Sequence, residues 1–284
     1  MPAHPSPVLA GEPPHCWLNG ALATALPLTD RALHYGDGLF ATIAVANGQP
    51  LLLQRHLDRL NLGCLRLKIP PPAADLLQQE LLQAAAGCSQ GVIKLIVSRG
   101  SGGRGYQPPT TVQPTRIMLR YPAPPPRRVA RIILCQTRYS ETPALYGIKH
   151  LNRLLQVLAR SEWDDPTIAE GLLQNSRDQF IEGTMSNLFW VEKGVLNSPD
   201  PALGGVAGVM RQEVLDLAAE AAIATAERPC YTENLAAAEE IFLTNSLVGI
   251  LPVTEVVTMA KRYSIGRITQ KLQQTLQQRG SCFV

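Results

Sequence analysis

The apolar side chains of residues 53–67 recur at the spacing of an α-helix. Leu53, Leu57, Leu60, Cys64 and Leu67 follow one another at intervals of four, three, four and three residues. This spacing places them along one face of a helix, where they can pack against a core. We predict further helices over residues 76–86, 151–163, 209–224 and 266–278.

Short apolar runs alternate with these helices. Residues 91–98 form a short run rich in β-branched side chains next to glycine, which is typical of a strand. Residues 171–174 and 187–192 are expected to belong to one hairpin-like unit, and residues 240–245 to form a buried strand that runs into a polar turn. Strands are also predicted over residues 116–120 and 130–136. The fold class is therefore α+β, with helices and strands mixed along the chain.

A proline-rich stretch, residues 121–128, is the best candidate for a linker between two domains. Proline fixes φ and lacks an amide donor, so this stretch cannot continue a helix or lie in a central strand. It divides the chain into an N-terminal α+β domain (residues 15–120) and a C-terminal domain (residues 129–284). Residues 1–14, which also contain several prolines, are expected to form a loosely packed N-terminal arm.

The composition excludes several classes of protein. With 284 residues, of which 45% are hydrophobic and 17% charged, the chain has enough apolar material for about two domains with a core. The formal net charge of +3 is small and scattered, which argues against nucleic-acid or membrane-surface partners. No stretch approaches the ~18 apolar residues of a membrane span, so we expect a cytoplasmic protein.

The six cysteines are spread singly along the chain. They form no CxxC pair and no cluster with histidine, so we expect neither a metal site nor a disulfide framework. This usage fits the reducing cytosol. The cysteines are Cys16, Cys64, Cys88, Cys135, Cys230 and Cys282.

One lysine has an unusual setting. The chain has only six lysines against 20 arginines, and Lys149 follows Tyr146-Gly147-Ile148 and precedes a strongly apolar predicted helix. A lysine that is desolvated at such a place has a lowered pKa and can act as a Schiff-base nucleophile or a general base. The alternative is a lysine that begins a helix with its amine in solvent, and periodicity alone leaves both readings open.

Two glycine-rich segments offer places for an anion. Residues 98–106 carry Arg99, Arg104 and Tyr106 on a backbone with little steric restriction, so they either close over an anion or form a solvated loop. This first segment fits neither a P-loop nor a GxGxxG nucleotide motif. Residues 204–211 lead directly into an apolar helix, whose free amides and dipole favour a phosphate, unless they serve only as a helix cap.

Six motifs follow one another within residues 17–253. They are residues 18–20, 30–40, 56–60, 147–153, 182–189 and 208–211. Together they resemble the fold-type IV pyridoxal-phosphate enzymes, a family that includes branched-chain aminotransferases, D-amino acid aminotransferases and aminodeoxychorismate lyases. Each motif is weak alone, but six in register are specific.

The resemblance implies a two-domain fold with the cofactor site between the domains. Lys149 matches the lysine that holds pyridoxal 5′-phosphate covalently and acts as a general base once substrate displaces it. Glu182 matches the carboxylate that faces the pyridine nitrogen, and Arg59 matches the arginine that pairs with the phosphate. The remaining cofactor contacts implied at the phosphate are those of Val209, Met210 and Ser246.

Within the family, residues 98–106 and 147–153 resemble the lyases rather than the aminotransferases. The implied reaction converts 4-amino-4-deoxychorismate into 4-aminobenzoate and pyruvate, a step of folate synthesis. The alternative is a D-amino acid or branched-chain aminotransferase, and the latter has an Asn-Tyr pair where this chain has Asn152-Arg153. The implied substrate-binding residues are Arg99, Arg104, Tyr106, Arg153 and His34.

The family also implies a homodimer in which a loop of one subunit completes the site of the other. Residues 30–40 mix polar groups with glycines and apolar side chains, so they suit packing across a dyad. The alternative is a hairpin corner within one subunit. A non-catalytic carrier of vitamin B6 would be expected to lack a key group, whereas Lys149 and Glu182 are both present.

Overall fold

The computed structural model describes residues 15–283, which form two β-sheets with helices packed against them. The strands of the first sheet are β1 (His15–Leu18), β2 (Ala21–Leu22), β3 (Gly38–Ala46), β4 (Gln49–Pro50), β5 (Gln90–Ser98) and β6 (Thr115–Pro122). They lie in the order β2-β1-β6-β5-β3-β4, and every neighbouring pair is antiparallel. The α+β structure predicted for residues 15–120 is therefore built on a single sheet.

Three helices accompany the first sheet. They are α1 (Arg31–Tyr35), α2 (Leu53–Leu67) and α3 (Ala74–Ala85). The prediction of α2 is confirmed to the residue, and its apolar face buries Leu57, Leu60 and Cys64 in the core of this sheet. The charged face of α2 is thereby left to point toward the second sheet and solvent.

The second sheet has nine strands and mixed pairing. Its strands are β7 (Ala130–Arg138), β8 (Ile168–Gln174), β9 (Phe180–Gly183), β10 (Asn187–Glu192), β11 (Val195–Ser198), β12 (Thr225–Glu227), β13 (Glu240–Asn245), β14 (Gly249–Val256) and β15 (Lys261–Arg262). They lie in the order β12-β11-β10-β13-β14-β7-β8-β9, with β15 beside β14. The pairs β11–β12, β7–β14 and β7–β8 are parallel, and the others are antiparallel.

Four helices accompany the second sheet. They are α4 (Leu154–Arg160), α5 (Val209–Glu220), α6 (Thr232–Ala237) and α7 (Arg267–Arg279). Helices α5 and α7 pack over a core in which the rings of Phe189 and Phe242 stack with centroids 4.9 Å apart. The start of α5 is thereby fixed at the edge of a buried layer.

Two predicted helices are shorter than the sequence pattern indicates. The helix expected over residues 151–163 begins at Leu154, because the Leu151 amide donates to the Gly38 carbonyl oxygen at 3.0 Å. The helix expected over residues 209–224 ends at Glu220, and Ala222 has a left-handed φ of 54°. A backbone contact with the distant residue Gly38 delays the start of the first helix, and a left-handed residue follows the early end of the second.

The predicted hairpin of residues 171–174 and 187–192 is wrong. Both segments are strands, but β8 pairs with β9 and β10 pairs with β11 and β13. The sequence pattern missed β9 because it has only four residues, one of which is the acidic Glu182.

The predicted linker starts later than expected. Tyr121 and Pro122 still belong to β6 and pair with Val92 and Gly91 of β5. Proline is tolerated there because it lies at the end of the strand, beyond Arg120, the last β6 residue whose register with β1 is defined. Residues 123–129 then connect the two sheets, and the division into two domains at the predicted bounds stays a prediction.

Residues 147–151, the lysine segment, are bound to both halves of the chain. On one side the Phe40 amide of β3 donates to the Lys149 carbonyl oxygen at 2.9 Å. On the other side the Gly147 amide donates to the Gly205 carbonyl oxygen, and the Ala207 amide donates back to Gly147, both at 2.9 Å. These backbone contacts fix Lys149 between the first sheet and the loop that precedes α5.

Gly38→Ala is expected to lower the free energy of unfolding by about 2–3 kcal/mol. A Cβ at this position would lie 2.5 Å from the Val97 carbonyl oxygen and 2.8 Å from the Ser98 Cα, and these backbone atoms cannot move independently of the sheet. Urea denaturation measures the change. Gly103→Ala is the matched control, since nothing lies within 4 Å of a Cβ there; equal losses for the two variants would contradict the prediction.

Candidate active site

A cavity of about 280 Å³ lies between the lysine segment, α2, β9, the start of α5 and the turn after β13. All six residues that the sequence assigns to cofactor binding line this cavity. They are Arg59, Lys149, Glu182, Val209, Met210 and Ser246. Residues up to 187 positions apart in the chain, from Arg59 to Ser246, are thus brought to one place.

Lys149 lies among other cations. Its Nζ is 4.6 Å from the centroid of the Phe40 ring. Burial is the largest cause that lowers the pKa of Lys149 to about 7, and repulsion from Arg59 and Arg153 adds to it. Glu182 acts in the opposite direction. The amine is therefore available in its neutral form, which is the form that attacks a carbonyl or accepts a proton.

Glu182 is a buried carboxylate at the floor of the same cavity. Its Oε2 accepts a hydrogen bond from the Val206 amide at 2.8 Å. Burial raises the pKa of Glu182, while Arg153, the Val206 amide and Lys149 oppose that rise. Among the described residues that line the cavity, Glu182 is the one carboxylate, so it is the natural partner for a positively charged group of a bound molecule.

Arg59 and the start of α5 form one end of the cavity, where their N–H groups can donate to a ligand. Arg59 Nη1 donates to the Ala207 carbonyl oxygen at 3.3 Å. Burial and the nearby Arg153 lower the pKa of Arg59 to about 10, and an anion would relieve that repulsion. Helix α5 begins after Gly208, which has no side chain to cap the first amides.

This end of the cavity fits a phosphate group. The free amides of a 12-residue helix and a guanidinium converge there, a combination that binds phosphate well. The buried Thr244 hydroxyl lines the same cavity and has no hydrogen-bond partner among residues 15–283. A Cβ at position 208 would lie 1.9 Å from the Asn187 Oδ1, so only glycine lets the backbone pass this close.

Ser246 lies in the turn that follows β13. Its hydroxyl donates to the Thr42 carbonyl oxygen at 2.6 Å, which ties the turn to β3 across the cavity. The Asn245 Oδ1 accepts from the Leu247 and Val248 amides and so shapes the same turn. The oxygen of Ser246 remains available to accept a further hydrogen bond.

Of the five residues that the sequence assigns to substrate binding, Arg153 lines the cavity. Its guanidinium carbon is 5.8 Å from the Phe40 ring centroid, on the ring that Lys149 also contacts. A carboxylate of a ligand could reach both cations from the open side of this ring.

Arg99 is placed differently and is tied into its own sheet. Its Nε donates to Asp37 Oδ2 at 2.8 Å, and its Nη2 donates to Asp37 Oδ1 at 3.0 Å. The guanidinium also donates to the carbonyl oxygens of Leu67 and Lys68. Because the guanidinium is buried and these contacts occupy each of its nitrogens, this arrangement supports a role in holding the loop, and contact with substrate stays a prediction.

His34, Arg104 and Tyr106 lie outside the cavity of their own chain. His34 Nε2 lies 2.6 Å from the Leu28 carbonyl oxygen. Arg31 donates to the carbonyl oxygens of Gly105 and Tyr106 at 3.1 Å each and so fixes the loop against α1. Tyr106 is 85% exposed, and contact of these three residues with substrate stays a prediction.

The sequence reasoning missed three polar residues near or in the cavity. Lys94 on β5 has its Nζ 5.3 Å from the Phe40 ring centroid, which adds another cation to the group. Gln156 and Thr244 line the cavity and carry buried oxygens without partners. The available signal was a charged residue within the apolar run of residues 91–98, where a lysine is costly unless it has a use.

Within residues 15–283, no group of three or more His, Cys, Asp or Glu side chains is arranged to hold a metal ion. No helix in the same range is long and apolar enough to cross a membrane.

Comparisons with known proteins agree with this site. The family model described as Amino-transferase class IV matches residues 38–256. Aminodeoxychorismate lyase of Vibrio harveyi is 34% identical over 267 residues, which cover 92% of this chain and 98% of that protein. A putative branched-chain-amino-acid aminotransferase of Methanocaldococcus jannaschii is 31% identical over 255 residues, which cover 86% of this chain and 88% of that protein.

A solved structure is also similar over almost the whole chain. The crystal structure of 4-amino-4-deoxychorismate lyase from Pseudomonas aeruginosa matches with a TM-score of 0.90 and 46% identity, covering 94% of this chain and 99% of that one. The range of the family model includes all the residues that line the cavity. The chain therefore belongs to the class IV aminotransferase family.

Proposed function

We propose that this chain is a pyridoxal-phosphate-dependent lyase that converts 4-amino-4-deoxychorismate into 4-aminobenzoate and pyruvate, a step of folate synthesis. The observation that carries the proposal is the group of cations around Lys149, because the substrate brings two carboxylates and the cofactor brings a phosphate. Similarity to two aminodeoxychorismate lyases over more than nine-tenths of the chain supports the same reaction.

Pyridoxal 5′-phosphate is the cofactor of this family, and the cavity residues fit it. Arg59 and the first amides of α5 would hold the phosphate, Glu182 would face the pyridine nitrogen, and Lys149 would bind the cofactor covalently. When bound, the cofactor supplies an electron sink that stabilises the carbanion left by removal of a substrate proton.

The side chains of the protein supply positioning and proton transfer. The Lys149 amine, once substrate displaces it, is the base that takes the proton from the ring carbon that bears nitrogen. Glu182 holds its negative charge where it keeps a ring nitrogen protonated. Arg153 lines the cavity beside the Phe40 ring and can hold a substrate carboxylate so that the bond to the enolpyruvyl oxygen is aligned to break.

A paired assay tests the reaction. Purified protein is supplied with 4-amino-4-deoxychorismate, and pyruvate and 4-aminobenzoate are measured in equal amounts. In parallel, D-alanine or a branched-chain amino acid is supplied with 2-oxoglutarate, and amino-group transfer is measured. We expect release of pyruvate and little transfer; transfer without pyruvate release would favour the aminotransferase alternative.

The lowered pKa of Lys149 sets a pH dependence for covalent cofactor uptake by the cofactor-free protein. With a pKa of about 7, the neutral fraction of the amine rises about tenfold from about pH 6 to pH 8 and then levels off. An ordinary lysine amine, with a pKa near 10.4, gains about 100-fold over the same range and continues to rise. We expect the rate of adduct formation, measured by absorbance and by mass after borohydride reduction, to follow the first curve; the second curve would contradict it.

The proposed assembly is a homodimer. Apolar side chains that a monomer would leave in water lie on α1 and α4, which face a common groove of about 620 Å³. They include Leu33, Leu154, Val157 and Leu158, each more than half exposed. A second copy of the chain would cover this surface, and the family resemblance implies that a loop of one subunit completes the site of the other.

Mixed dimers test this assembly. Lys149→Ala and Arg104→Ala subunits are each expected to be nearly inactive alone. If Arg104 acts in the cavity of the partner, random mixing leaves half of the dimers with one intact site out of two, so about one quarter of wild-type activity returns. Failure to recover activity when mixed dimers form, or full activity of Arg104→Ala alone, would contradict a shared site.

The proposed compartment is the cytoplasm. Burial raises the pKa of the Cys64 thiol to about 11 and, with nearby carboxylates, that of the Cys135 thiol to about 12. Such thiols stay protonated and behave as small apolar side chains. This use of cysteine suits a reducing compartment.

A further inference from the structure

Two polar contacts join α2 to α5 and to the loop directly before it, beside the cavity. In the inner contact, Arg59 Nη1 donates to the Ala207 carbonyl oxygen at 3.3 Å. In the outer contact, Arg55 Nη2 donates to Asp216 Oδ2 at 2.6 Å and lies 3.1 Å from Glu213 Oε2. Arg55 precedes Arg59 by four residues on α2, so the two arginines lie on the same face, one turn apart.

The Glu213 carboxylate, which pairs with Arg55, also contacts other residues. Glu213 is buried, with 3% of its side chain exposed. Its Oε1 lies 3.3 Å from Arg279 Nη1 and accepts from the Ser281 hydroxyl at 3.2 Å. Glu213 is therefore fixed to the end of α7 and cannot follow Arg55 if α2 moves.

The inner and outer contacts lie beside a groove. A groove of about 830 Å³ separates α2 from residues 207–212, and Arg55, Arg59 and Val209 all line it. Apolar contact with the layer of α5 and α7 is made by Leu52, the residue before α2, and Leu52 does not line the groove. Along the groove, the inner and outer polar contacts bridge α2 and the start of α5.

We propose that Arg55 is a positioning residue for the phosphate of the cofactor. The phosphate needs the Arg59 guanidinium from α2 and the first amides of α5 to converge on it at the same time. The outer contact anchors α2 to the fixed Glu213 one turn away, and so sets the distance between those two groups of donors. Arg55 does not line the cofactor cavity. This inference rests on the proposed function, since it assumes that the cavity binds pyridoxal phosphate.

The test compares pyridoxal phosphate with pyridoxal, which lacks the phosphate. Dissociation constants of the cofactor-free protein for both compounds are measured by absorbance, for wild type and for Arg55→Gln. We expect Arg55→Gln to raise the dissociation constant for pyridoxal phosphate about tenfold and that for pyridoxal less than about twofold. Arg55→Lys keeps the positive charge and is expected to recover part of the loss.

Two more variants provide a control and a replacement for Arg55→Gln. Arg116→Gln is the control: it removes an arginine from another buried glutamate, Glu80 on α3 beside the first sheet, and is expected to lower thermal stability without changing the ratio of the two constants. Asp216→Asn weakens the outer contact at its more exposed partner and is expected to raise the ratio by a smaller factor. Asp216→Asn takes the place of Arg55→Gln in the test if Arg55→Gln does not fold.

Failure of the positioning role and failure of the proposed function give different results. Equal weakening of pyridoxal phosphate and pyridoxal by Arg55→Gln, or no weakening of either, overturns the positioning role. An unchanged ratio in Asp216→Asn does the same if Arg55→Gln does not fold. If wild-type protein binds neither compound, the proposed function itself fails, and that result is visible before any variant is measured.

Discussion

Lys149→Ala is expected to abolish covalent cofactor binding and to lower lyase turnover by at least about 10⁴-fold. The amine is the one group that both binds the cofactor and removes the substrate proton in the proposed reaction. Its neutral form depends on burial and on repulsion by Arg59 and Arg153, and no other described lysine lines the cavity. Pyruvate release measures turnover, and mass spectrometry after borohydride reduction measures the adduct.

Lys94→Ala is the matched control for this loss. It removes a second lysine amine beside the same Phe40 ring, but one that does not line the cavity. We expect the reducible adduct still to form on Lys149 and turnover to stay within about tenfold of wild type. If Lys149→Ala formed the same adduct or kept turnover within about tenfold of wild type, Lys149 would not be the base.

Local sequence patterns predicted the elements that bury one regular face. Helix α2 is correct to the residue because its apolar positions repeat over four turns, and β10 is likewise correct at residues 187–192. The cavity residues could be selected because they belong to short motifs, among them the lysine segment and the glycines before α5. The resemblance to a family, rather than periodicity, assigned them their separate roles.

Features that depend on distant partners could not be predicted. Arg99 looked like a loop cation, but its partner Asp37 lies 62 residues away in the sequence. The start of α4 depends on a bond from Leu151 to Gly38, which only the folded chain brings together. Lys94 interrupts the apolar run of residues 91–98, but Lys149 and Arg153, the cations that share the Phe40 ring with it, come from a distant part of the chain.

Glu182→Gln is expected to lower turnover by about 10²–10³-fold while covalent cofactor binding is retained. The amide has nearly the same shape, and its oxygen can still accept the Val206 amide hydrogen bond that Glu182 makes at 2.8 Å. What is lost is the negative charge that keeps the pyridine nitrogen protonated. The loss should therefore fall on kcat, measured by pyruvate release, more than on cofactor affinity.

The same substitution should shift the pH dependence of cofactor uptake. Glu182 raises the pKa of Lys149, so removing its charge lowers that pKa further and moves the midpoint of uptake below about pH 7. Glu240→Gln is the matched control: Glu240 is also a buried carboxylate, but it accepts from Thr269 at the start of α7. It is expected to reduce stability and leave the midpoint in place. A Glu182→Gln protein with wild-type turnover and an unmoved midpoint would show that this carboxylate is structural, and the proposed role of its charge would have to be abandoned.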